Sequence, residues 1–85
     1  MIILLYFDWL GSKTELKEYN EKIRRSCEEL GVRFRGTYGP MNAKWNYVNM
    51  FETESYDMFL EMGRRVSRHP KMPHHIAEIL IPQEI

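Results

Sequence analysis

Two hydrophobic periods alternate along the chain. Ile2-Ile3-Leu4-Leu5-Tyr6-Phe7-Asp8-Trp9 is apolar at nearly every position. Side chains alternate across a strand, so Ile3, Leu5, Phe7 and Trp9 point one way and Ile2, Leu4 and Tyr6 the other; both faces of this strand need cover. From Ser12 the period lengthens. Leu16, Tyr19, Ile23, Cys27 and Leu30 recur at steps of three and four, the stripe of an amphipathic helix. Ser12 and Glu15 have the spacing of a capping box, and Gly31 supplies the left-handed residue that stops the helix. Residues 32–38 and 45–52 read as two strands joined by the hairpin loop Gly39-Pro40-Met41-Asn42-Ala43. Thr53-Glu54-Ser55 opens a second helix, with Tyr56, Phe59, Leu60, Gly63 and Val66 at helical spacing and Pro70 ending it at or near His69. Gly63, on that stripe, is expected to let a strand approach closely. Residues 74–81 form the last strand, between Pro73 and Pro82.

Strand, helix, strand, strand, helix, strand is two βαβ halves. Right-handed crossovers give an antiparallel sheet of order 4-1-3-2 with both helices on one face, an α+β ferredoxin-like fold. Eighty-five residues make one domain, 1–85. Its two helices cover one face of the sheet only. Taking the more aliphatic set of each strand as the helix side puts Ile3, Leu5, Phe7, Val32, Phe34, Val48, Met50, Ala77, Ile79 and Ile81 in the core. The open side then carries Leu4, Tyr6 and Asp8; Arg33, Arg35 and Thr37; Trp45, Tyr47, Asn49 and Phe51; and His74, Ile76, Glu78 and Leu80. That set holds more aromatics than a surface meant for water, and more charge than one meant for packing alone. A second copy of the chain, a ligand or nucleic acid is expected to cover it.

Composition narrows the choice. Twelve basic and twelve acidic residues cancel, which argues against a general attraction to nucleic acid or anionic membrane. Cys27 is the single cysteine, so no intrachain disulfide forms, in keeping with a cytoplasmic location. The apolar start lacks a basic region before it and a cleavage site after it, so no secretory signal is expected. No segment approaches the roughly twenty apolar residues of a membrane span.

Over all 85 residues the element order resembles that of the dimeric α/β-barrel superfamily. Phe7-Asp8-Trp9 in the first strand and Gly36-Thr37-Tyr38-Gly39 at the end of the second are similar to its small uncharacterised members. The resemblance implies a homodimer of ferredoxin-like subunits with their sheets face to face around a cavity. That superfamily includes haem-degrading and quinone-forming monooxygenases, lactone isomerases and ligand-sensing regulatory domains, and fold alone does not select among them. Trp45, Asn49 and His74 supply the residue types of a haem-degrading site. The asparagine such enzymes carry early on the first strand is missing, which argues against that activity.

The expected site is therefore a cavity for a small organic molecule, lined by Tyr6, Asp8, Arg35, Trp45, Tyr47, Asn49 and His74. Trp45 and Tyr47 offer ring faces, Arg35 an anion contact, and Asp8 or His74 an acid/base group. Glu78 would share a side of adjacent strands with Asp8. No metal site is expected, since His74 and His75 point to opposite faces of a strand and Cys27 lies on a helix's apolar stripe. No cofactor is called for, and the sequence leaves open whether binding is accompanied by turnover. Two other readings stay open. One is a non-catalytic structural or regulatory dimer. The other is a single-stranded RNA-binding module of the RNA-recognition-motif type, with bases stacked on the aromatics of residues 5–10 and 44–51, although Asn46 stands where such a motif needs a ring.

Overall fold

The computed structural model describes residues 1–40, 42 and 44–85. It runs β1 (Ile2–Phe7), α1 (Lys13–Leu30), β2 (Arg33–Tyr38), β3 (Tyr47–Glu52), α2 (Tyr56–Val66) and β4 (His75–Leu80). The strands form one antiparallel sheet of order β2-β3-β1-β4, which is the expected order read from the other edge. This is the ferredoxin-like α+β arrangement. Of the expected hairpin loop between β2 and β3, Met41 and Ala43 lie outside the described residues.

Local chemistry sets the helix ends. Ser12 and Glu15 exchange hydrogen bonds as a capping box at the start of α1, and Gly31 closes it at φ 72°. α2 begins at the Ser55 cap, whose hydroxyl accepts from the Asp57 amide. It ends at Val66, earlier than Pro70 alone implies. Ser67 takes a positive φ of 66° and donates its amide to the Gly63 carbonyl. A turn then closes from the Met72 amide to the His69 carbonyl, and the chain joins the line of β4 alongside β1.

The core lies between the sheet and the helices. Ile3 and Phe7 of β1, Phe51 of β3, Ile23 and Cys27 of α1, and Phe59 and Met62 of α2 are buried together. Trp9 packs on Tyr19 and His69, and its indole N–H donates to the Ser12 carbonyl at 2.9 Å. Burial raises the Cys27 thiol to about 11, so it stays neutral at physiological pH and is no nucleophile.

Register corrects two of the face assignments. Ile3, Leu5 and Phe7 pair with Phe51, Asn49 and Tyr47, so those three β3 residues face the helices. Val48, Met50 and Glu52 face the open side instead. In β2 the register shifts between Phe34, opposite Phe51, and Gly36, opposite Met50. Arg35 is the extra residue of this bulge, and it moves Thr37 from the open side to the helix side, opposite Asn49. On β4 the expected alternation holds: Ile76, Glu78 and Leu80 share the face of Tyr6, Leu4 and Ile2.

Two glycines have opposite consequences. Gly36 sits at φ 112°, a conformation an L-residue adopts with strain, although a Cβ there would meet only Tyr38 atoms at 3.9–4.0 Å. Gly63 lies in a helix, and a Cβ there would meet nothing within 4 Å, so it mediates no close strand approach. Gly36→Ala is accordingly expected to cost about 1–3 kcal/mol, and Gly63→Ala to gain up to about 1 kcal/mol. Urea unfolding of both variants measures the contrast.

Candidate functional site

On the open face, Ile2, Leu4 and Tyr6 of β1 lie between Val48 and Met50 of β3 and Ile76 and Leu80 of β4. No helix or strand among the described residues lies over them. Ile76 is 55% exposed and Leu80 43%, and Tyr38 of β2 is exposed beside Val48. Three charges of this face pair at one end. Arg35 Nε lies 2.6 Å from Glu52 Oε1, and an Arg33 guanidinium nitrogen lies 3.3 Å from Glu52 Oε2. The Arg35 hydrogen bond, helped by Arg33, holds the Glu52 carboxyl below its usual range, so the cluster stays ionised at neutral pH.

At the other end two clefts adjoin, of about 500 and 440 Å³. Lys44, Trp45 and Ile76 line both. The larger adds Asp8, Arg68, Pro73, His74 and His75; the smaller adds Tyr6, Asn42, Ala77 and Glu78. Backbone pairing holds the acid/base candidates together, because the Asp8 amide donates to the His74 carbonyl at 3.1 Å. An Asp8 carboxylate oxygen accepts from the Asn46 amide at 3.4 Å, and the Asn46 side chain accepts from the Trp9 amide, which ties the segment before β3 to the end of β1. Asn42 caps the next stretch, its side-chain oxygen accepting from the amides of Lys44 and Trp45. Lys44 Nζ stands 5.5 Å from the centre of the Trp45 ring, within cation–π range. Tyr6 and Glu78 approach to 3.5 Å, the outer limit of a hydrogen bond.

Of the seven expected lining residues, the structure gathers four around these clefts: Tyr6, Asp8, Trp45 and His74. Arg35 is engaged with Glu52 near the far end of β3 from Trp45. Tyr47 stacks on Phe7, with ring centres 5.7 Å apart, on the helix side. Asn49 is fully buried there, accepting from the Thr37 hydroxyl at 2.5 Å, while that hydroxyl accepts from the Asn20 amide at 2.8 Å. The reason is the same for Tyr47 and Asn49: β3 pairs with β1 in the register that turns its odd-numbered residues inward. Phe51, which an RNA-stacking surface would also need, goes inward with them.

Lys44 and Arg68 are cleft residues that the sequence reading passed over. Lys44 adjoins Trp45 in the chain, and that was its signal. Arg68 follows Arg64 and Arg65 at a spacing that, in a longer helix, would read as one solvated face. Those two do pair outward, with Glu61 and Glu29, but Arg68 lies past the end of α2 and donates to the Pro73 carbonyl at 2.8 Å. The three histidines go separate ways: His69 packs against Trp9 and Tyr19, His74 lines the larger cleft, and His75 lies opposite Phe7 on the helix side.

No protein-family model and no curated protein matches this chain. Among solved structures, an uncharacterized NIPSNAP domain protein from Burkholderia xenovorans is similar over 98% of this chain and 95% of its own, at 13% identity and a TM-score of 0.49.

Proposed function

We propose that the open sheet face binds a second copy of this chain, and that the Trp45 clefts become a site for a small organic molecule between the two sheets. The observation that carries this reading is the row Ile2, Leu4, Tyr6, Met50 and Ile76, partly or wholly exposed on the face away from both helices, over which no helix or strand among the described residues lies. Apolar area of this kind is costly in water and favourable when buried, at about 25 cal/mol per Å². Arg33, Arg35 and Glu52 of the face are already paired with one another, so closing it leaves them with partners, while Glu78 keeps the Tyr6 hydroxyl beside it.

The clefts have the mixture that small-molecule sites use, an apolar floor with a few converging polar groups. Trp45 and Ile76 offer flat apolar contact, and Lys44 and Arg68 offer positive charge. Asp8 and His74 stand in one cleft where either could take or give a proton to a bound molecule. The reading commits to binding; proton transfer is the chemistry these groups would add.

Sedimentation of the purified chain at micromolar concentration tests it. The wild type is expected to run as a dimer. Ile76→Lys is expected to run as a folded monomer, because at 55% exposure the new ammonium stays hydrated within the subunit, whereas closing the face would bury it. A wild type that stays monomeric would overturn the reading.

A further inference from the structure

A second cavity lies on the opposite side of the sheet and shares only Arg68 and His75 with the Trp45 clefts. It is a crevice of about 210 Å³ between α2, α1 and the β1–β4 side of the sheet. Leu5, Ile23, Phe51, Phe59, Met62 and Met72 form its walls, and they are nearly all hydrocarbon, aromatic ring or thioether. It exists because α2 does not reach over β4. Every residue of β4 is exposed, including Ala77 and Ile79 on the helix side. Gly63 borders the crevice and adds no side chain to it. The position costs α2 about 1 kcal/mol relative to alanine with no packing contact in return.

Size and charge define what fits. A dry apolar cavity of about 150 Å³ is enough to take up benzene. Here the apolar walls end at two exposed basic side chains, Arg68 and His75, which stand between this crevice and the larger Trp45 cleft and line both. Arg68 uses one guanidinium nitrogen on the Pro73 carbonyl and has no carboxylate partner among the described residues. We propose that this crevice is a binding site for a small monocarboxylate with an apolar body of about phenyl size, the body against the part-exposed Leu5, Gly63 and Val66 and the carboxylate at Arg68 and His75. The site requires no second copy of the chain, and its apolar walls are distinct from those of the sheet-face clefts, with which it shares Arg68 and His75.

Titration of the ¹⁵N-labelled protein with 3-phenylpropionate, followed by amide shifts, tests the proposal. Saturable shifts are expected at Met62, Gly63, Val66 and Met72. Binding of the neutral isostere 3-phenylpropanol, and of 3-phenylpropionate to Arg68→Gln, should each be weaker by about tenfold or more, the usual worth of a charge-assisted hydrogen bond. Gly63→Leu, which places a side chain over the crevice, should abolish the shifts. The proposal is overturned if no saturable shift appears at millimolar ligand, or if the alcohol binds as well as the acid. It is also overturned if the shifts centre on Tyr6, Trp45 and Ile76, an outcome that would instead favour the sheet-face site. The amide map and the alcohol comparison need no variant, so the proposal remains refutable even if Gly63→Leu fails to fold.

Discussion

Phe51→Ala is expected to remove about 3–5 kcal/mol of folding stability, a large part of what a small domain possesses. Phe51 has no exposed surface. Its ring stacks on Phe34 of β2 at 5.1 Å and meets the Phe59 ring of α2 edge-on at 5.2 Å, so one side chain ties an edge strand, a central strand and a helix together. Truncation loses the transfer free energy of the ring and leaves a void that the central strand is poorly placed to fill. Thermal or urea unfolding by circular dichroism checks it. A loss below about 1 kcal/mol would mean that β3 does not hold the register that turns Phe51 inward, since an open-face phenylalanine would be cheap to remove.

Thr37→Val is expected to cost about 2–4 kcal/mol despite its nearly unchanged shape. The Thr37 hydroxyl is the middle of a chain in which the Asn20 amide donates to it and it donates to the Asn49 side-chain oxygen. Asn49 has no exposed surface, so an oxygen deprived of its donor there cannot turn to water. Asn20, whose side-chain oxygen is already buried without a partner, loses its acceptor as well. The double variant Thr37→Val/Asn49→Leu should recover part of the loss, because it also removes the Asn49 oxygen that the single variant orphans and its unpartnered Nδ2, leaving only the Asn20 amide without its acceptor. Urea unfolding of the two single variants and the double gives the coupling energy directly. Strict additivity would show that the two groups do not interact in the folded chain.

These two experiments fall on the residues where reading from sequence went furthest astray. In β3, Val48 and Met50 look like core by hydrophobicity, and Asn49 looks like surface. β3 is a central strand beside β1, with apolar groups on both faces, so alternation carries little information about which face is which. Glu52 shared a face with Val48 and Met50, and that charge was the available clue that theirs is the open side. In β2 the bulge at Arg35 shifts every later residue to the opposite face. Gly36 was its only trace in the sequence, since an isolated glycine in a strand often marks a bulge. Arg35, Tyr47 and Asn49 left the expected site for these reasons. Tyr6, Asp8 and His74 stayed because β1 and β4 pair as expected, and Trp45 because β3 begins only at Tyr47, which leaves Trp45 outside the register that turns Tyr47 and Asn49 inward.

What the amino-acid order determined by itself was local. It set the caps of α1, the two helical stripes, the number and sequence of strands, and through the handedness of crossovers the sheet order and the existence of an uncovered face. These follow from contacts a few residues apart and from chirality that any chain obeys. Tertiary structure alone decided which face each β3 residue occupies, where the bulge sits, that Asn49 is buried on Thr37, and that α2 stops short of β4 and leaves a crevice. Those depend on one-residue differences in pairing between distant segments. Because strand side chains alternate with a period of two, a shift of one residue exchanges inside for outside without altering local pattern at all.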